Sequence, residues 1–159
     1  MNCDVVILVP DIDIEQALKG VLSRPGAVGI RSPLKPSFVR HPNRDPGVFH
    51  TGRELLSPYT FDHAHALVCL DLSWDGVPTA DVSELERQIE LKCFPDWGDK
   101  VRCVAIDPEV EVWLWSDSPN VATCLGWDNT VELRTHLERQ GFWAPGDAKP
   151  SKPKRAFES

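Results

Sequence analysis

The chain has no apolar stretch near the ~20 consecutive residues that a membrane helix needs, which excludes a helical membrane span. It also has no C-x-x-C pair. Its five cysteines, Cys3, Cys69, Cys93, Cys103 and Cys124, stand far apart, three of them in apolar runs, so zinc-like spacing is missing. An odd cysteine count with no signal peptide predicts buried thiols in a reducing cytoplasm rather than a disulfide framework. Positive charge is in short supply, with 17 Lys and Arg against 24 Asp and Glu and a net charge of −7. That balance argues against a protein that coats nucleic acid through bulk charge. A nucleophile-elbow motif, a phosphate-binding glycine loop, a protein-kinase signature and internal repeats are all missing. Tyrosine occurs once, against six tryptophans, and neither number names an activity.

What is present reads as an ordinary globular composition, 42% hydrophobic and 26% charged. A length of 159 residues suits one compact domain. We place it over residues 1–144, with a basic, mobile tail over 145–159 that carries Lys149, Lys152, Lys154 and Arg155 among prolines. The last residues, "PKRAFES", resemble the opening turn of another helix.

Apolar runs fix the elements. "CDVVILVP" is a short β-branched run closed by a proline, the pattern of a strand buried on both faces. "DIDIEQALKGVLSRPG" follows as an amphipathic helix capped at Asp11 or Asp13 and stopped at Pro25-Gly26. "GAVGIRS" is a candidate second strand. The segment "PLKPSFVRHPNRDPGVFHTG" holds so many prolines and glycines that it predicts a long loop. "HALVCLD" and "KVRCVAID" are further buried strands, separated by the amphipathic "DVSELERQIELKCF". The order β, α, β, loop, β, α, β predicts an α/β fold with a small, open, mainly parallel sheet flanked by helices, Toprim- or Rossmann-like. Beyond it, "SPNVATCLGW" predicts a short helix capped at Ser118, and "NTVELRTHLERQGF" one capped at Asn129 or Thr130. "PEVEVWLW" satisfies strand and helix periodicity alike.

In parallel α/β sheets, ligands collect at the carboxyl ends of the strands. That edge would carry Asp11, Asp13 and Glu15 after the first strand, Asp71 and Asp75 after the third apolar run, and Asp107, Glu109 and Glu111 after the fourth. Hard oxygen ligands in such a place suit Mg²⁺, which takes one or two carboxylates plus waters and substrate phosphates. The same residues are also common as helix caps and turns, with Asp75-Gly76 an ordinary turn pair. The loop "RHPNRDPGVFH" gathers Arg40, His41, Arg44, Asp45 and His50, types that grip phosphate and move protons. His63 and His65 lack a third ligand for zinc.

The pieces "LVPDIDIEQAL", "RHPNRDPG", "HALVCLDLSWDG" and "IDPEVEVWLWSDSPNVATCLGW" resemble, in this order, Toprim-like proteins, in particular small bacterial proteins associated with antiphage defence islands. The resemblance runs from Val5 to about Phe142 and is similar, more narrowly, to components of methylation-associated defence systems. It implies a small parallel α/β sheet, a helical "PEVEVWLW", and Mg²⁺ held by a Glu after the first strand and a D-x-D-x-x-G motif after the third. Laid on this chain, the motif puts Asp71 at the first Asp, Ser73 at the second and Gly76 at the glycine, while Pro10 or Asp11 stands at the place of the Glu. The expectation is a cytoplasmic component of antiviral defence performing Mg²⁺-dependent nucleic-acid cleavage or phosphoryl transfer. Asp71, Asp75, Asp11 and Glu15 would be metal ligands, Glu109 a further catalytic carboxylate, and His41 and Arg44 would meet the phosphate. Nucleic acid and other defence proteins would be its partners. The alternative is a Toprim-derived subunit without catalysis that binds a partner protein or senses nucleic acid.

Overall fold

The computed structural model describes residues 3–159. The chain divides into two compact units, Met1–Asp107 and Pro108–Ser159, where length alone suggested one domain to residue 144. The first unit carries the sheet. Strands β1 (Cys3–Val9), β2 (Pro36–Arg40), β3 (His63–Asp71) and β4 (Val101–Ile106) pair in the order β2-β1-β3-β4, all parallel. Helices α1 (Ile12–Leu22), α2 (Arg44–Leu56) and α3 (Val82–Trp97) make the three crossovers. The predicted small parallel α/β sheet is therefore present.

Burial explains the continuous apolar runs. Val6, Leu8, Val68 and Leu70 share one core with Val48, Phe49 and Leu56 of α2 and with Leu85, Ile89, Cys93 and Trp97 of α3. Ile7, Val9 and Cys69, which alternate with them along the strands, are equally buried. With both faces covered, β1 can hold no polar side chain between Val5 and Val9. All five cysteines are free. Burial pushes the thiols of Cys69 and Cys93 up to about 12 and about 11, so both are protonated, unreactive core residues at neutral pH.

Two sequence expectations need correction. "GAVGIRS" is not a strand: Pro25–Val28 form a 3-10 turn closed by Gly29 at φ +69°. The second strand is Pro36–Arg40, inside the segment predicted as loop, with its proline as the first residue of an edge strand, where no ladder donor is lost. From Arg44 the segment enters α2, a helix of 13 residues. Pro46 lies in its first turn, where an amide has no helical partner to lose. Gly47 and Gly52 are there for proximity rather than flexibility. A Cβ on Gly47 would lie 2.1 Å from the His41 ring, and one on Gly52 would lie 2.9 Å from Leu8.

β4 is an edge strand whose outward amides are not left to solvent. The Cys103 N–H donates to Glu90 Oε1 and the Ala105 N–H to Glu86 Oε1, both at 3.0 Å, from carboxylates one turn apart on α3. The side chains thus complete the backbone hydrogen bonding that the sheet leaves open.

The second unit holds α4 (Pro119–Cys124), α5 (Thr130–Arg139) and α6 (Pro153–Phe157). Ser118 and Asn129 cap α4 and α5 as expected, accepting the N–H of Asn120 and of Glu132. "PEVEVWLW" forms a 3-10 turn over Val110–Trp113, which settles the mixed periodicity as helical but short. Its core is Trp115, Ala122, Leu133, Leu137, Trp143 and Ala156. Trp115 and Trp143 meet edge to face at 5.6 Å, and Trp115 Nε1 donates to Pro153 O at 3.1 Å. Residues 145–159, expected as a mobile tail, include α6 with Ala156 in this core. Pro153 begins that helix, where a missing donor costs nothing, and Lys149 Nζ is spent on Val112 O at 2.8 Å.

Candidate functional site

The sheet order makes β1 and β3 the neighbours between which successive connections change direction, so the crevice outside their carboxyl ends is where this architecture binds ligands. Asp11 follows β1, Asp71 ends β3, and Asp45 enters from the first turn of α2. The Leu72 N–H reaches across to Ile106 O of β4, so the preceding amide, that of Asp71, turns the other way. It donates to Asp45 Oδ1 at 2.9 Å. Burial raises the Asp45 carboxyl above its ordinary range, opposed by the hydrogen bond from Asp71, and the negative field of Asp11 adds to the upward shift. Asp45, expected in a phosphate-gripping loop, thus stands instead in the first turn of a helix, bonded to the end of β3.

The other expected residues stand as follows. Asp11 caps α1, its Oδ1 accepting the N–H groups of Asp13 and Ile14, each at 3.1 Å. Glu15 is buried, with one oxygen on Lys19 and the other 3.0 Å from Arg40 Nε. Arg44 has φ +51°, a left-handed backbone that is costly for a side chain of this size. Asp75 is exposed in the turn with Gly76 at φ +86°, and Ser73 is exposed beside it. Between them Trp74 turns inward against Phe49, with ring centroids 5.9 Å apart. The "DLSWDG" loop is therefore anchored by its tryptophan, and its two later polar residues face solvent. Glu109 belongs to the second unit, where its Oε1 accepts the Lys154 N–H at 2.9 Å.

Mg²⁺ demands near-octahedral oxygen ligands at short range. Asp11 and Glu15 are already committed to a helix cap and to two ion pairs, and Ser73 replaces the second motif carboxylate. Among the described residues, no group of three or more His, Cys, Asp or Glu side chains is placed to hold a metal ion. Asp11 and Glu15 would have to give up these bonds before taking the ion that the resemblance implies.

His41 has a different task from the one expected. It is buried just beyond β2, its Nδ1 accepts the Asn43 N–H at 3.1 Å, and its Nε2 lies 2.9 Å from Thr51 Oγ1. An acceptor at Nδ1 leaves the proton on Nε2, which donates to Thr51, and Thr51 Oγ1 in turn donates to Gly47 O at 3.3 Å. The neutral ring thus ties the start of α2 to the end of β2. Burial lowers its pKa below the ordinary 6.5. The unfolded chain therefore binds more protons than the folded one between the lowered value and 6.5. Stability is complete above pH 6.5 and falls as the pH drops through that window. Urea unfolding across this range should show the decline, and His41→Gln should flatten it. An unchanged slope in the variant would remove His41 as its source.

The zinc possibility at His63 and His65 finds no geometric support. His65 is exposed, while His63 is buried with both ring nitrogens bonded inside the protein.

No protein-family model, no curated protein and no solved structure matches the chain, so the site rests on its own chemistry.

Proposed function

We propose that the protein is a Toprim-like component of prokaryotic antiviral defence that serves as a subunit without metal-dependent catalysis and binds a partner protein. The observation that carries this is the commitment of Asp11 and Glu15, the two carboxylates after β1 that the resemblance would make metal ligands, to capping and ion pairing. A ligand set spent on the fold gives up its internal bonds before it can take a metal. Support for a protein partner comes from Leu91 and Phe94, three residues apart on α3 and 56% and 53% exposed, so that they present one apolar stripe. The net charge of −7 disfavours nucleic acid as the bulk ligand.

A second reading, a Mg²⁺-dependent nuclease or phosphotransferase, draws on Asp45 and Asp71 at the crevice and the raised Asp45 carboxyl. Titrating Mg²⁺ and Mn²⁺ to millimolar levels while following backbone amide NMR shifts separates the two. The subunit reading expects no saturable shift at Asp11, Asp71 or Asp75 and no cutting of plasmid DNA or RNA. Saturable shifts there, with cleavage that Asp71→Ala abolishes, would replace it by the enzyme.

A further inference from the structure

At the amino-terminal edge of the sheet, away from the crevice, three residues form a chain of hydrogen bonds that the proposed function does not use. Ser37 is the second residue of β2 and His63 the first of β3, with β1 between the two strands. Ser37 Oγ lies 2.6 Å from His63 Nε2, and His63 Nδ1 lies 2.6 Å from Asp62 Oδ1. The carboxylate accepts only, so Nδ1 carries the ring proton and Nε2 presents its lone pair to the serine hydroxyl. The serine O–H then donates to Nε2, the direction that general-base activation of a serine requires.

The plain alternative is a buried histidine satisfied by whatever polar groups lie nearby. The other buried histidine of the sheet unit shows what that looks like: His41 Nδ1 takes a backbone N–H and its Nε2 meets a threonine hydroxyl. His63 has instead a carboxylate on one nitrogen and a half-buried hydroxyl on the other. Tyr59 covers its ring edge to face at 5.3 Å, which limits water around the imidazole and fixes its plane. The Asp62 side chain is 63% exposed, so it orients the ring from the solvent side.

We propose that Ser37, His63 and Asp62 form an acyl-transfer centre that hydrolyses small, activated carboxylic esters. Ser37 Oγ bonds to the acyl carbon as its proton passes to His63 Nε2. The tetrahedral intermediate collapses, the carbon–oxygen bond to the alcohol breaks, and Nε2 returns the proton to the departing alcohol. Water repeats the sequence on the acyl-serine, giving a carboxylic acid and a free serine with no net redox change. Asp62 is a positioning residue that holds the tautomer.

An alkyl fluorophosphonate tests the centre directly, because the serine oxygen displaces fluoride and keeps a stable phosphonyl group. Intact-mass and peptide spectra of the wild type should show one adduct, on Ser37, that Ser37→Ala eliminates. General-base assistance contributes ~10² to 10⁴-fold. Asp62→Asn, an exposed change that leaves the packing of His63 in place, should therefore slow labelling and p-nitrophenyl acetate turnover ~10²-fold or more. His63→Gln should do at least as much, with circular dichroism confirming its fold. A folded wild type that takes no adduct at Ser37 overturns the proposal, as does an Asp62→Asn protein that labels at the wild-type rate.

Discussion

Gly47→Ala is expected to destabilise the sheet unit by about 3 kcal/mol or more, at the upper end of what overpacking costs. The added methyl would lie 2.1 Å from His41 Nδ1, 2.3 Å from its Cε1 and 2.8 Å from the Asn43 Cβ. None of these is the free end of a flexible chain. The imidazole is held at both nitrogens, so it can move only by releasing the Asn43 amide, Thr51 or both. The first turn of α2 would then be pushed away from the end of β2, and the Asp45 bond to the Asp71 amide would be drawn out with it. Chemical denaturation provides the measurement. Gly20→Ala is the matched control, a helical glycine in α1 with nothing within 4 Å of the new methyl, and should be neutral or gain about 0.5 to 1 kcal/mol. Equal stability of the two variants would mean that α2 does not press on His41.

Trp115→Ala should cost about 3 to 5 kcal/mol, the usual price of removing a large aromatic core side chain. Trp115 is the largest of the fully buried side chains and joins the start of its unit to its C-terminal half, through Trp143 and through the Pro153 carbonyl. Its loss would leave a cavity and remove a buried hydrogen bond together. Hydrogen exchange should accelerate throughout α5 and α6, and Trp115→Phe should recover the packing while forfeiting the indole bond, worth about 1 kcal/mol. Retained protection in α5 and α6 of the alanine variant would show that this core does not depend on the indole.

Much of the sheet was legible because its cause is local. A β-branched run such as Val5–Val9 excludes polar residues wherever the strand is covered on both sides, and the caps at Asp11, Ser118 and Asn129 act within three residues of themselves. α2 was illegible for the opposite reason. Gly47 and Gly52 look like helix breakers in the sequence, while their value lies in approaching His41 and Leu8, residues that no local window associates with them. Reading that segment as loop also hid the partner of Asp45, since a loop aspartate and a half-buried carboxylate bonded to a strand 26 residues away look alike in sequence. At the carboxyl edge, Glu15 finds Arg40 only once β2 lies beside β1. Ser37, Asp62 and His63 likewise meet only through strand register.

The two glutamates along β4 bear on how the protein behaves in a crowd. An extended segment from another chain adds to a sheet by offering its carbonyls to unpaired edge amides. Here those amides, at Cys103 and Ala105, are already taken by charged oxygens, and an incoming strand would have to evict two carboxylates to gain neutral bonds in exchange. This border of the sheet is a terminus for strand addition, and α3 guards against templated aggregation with the same two residues that complete the hydrogen bonding of the fold.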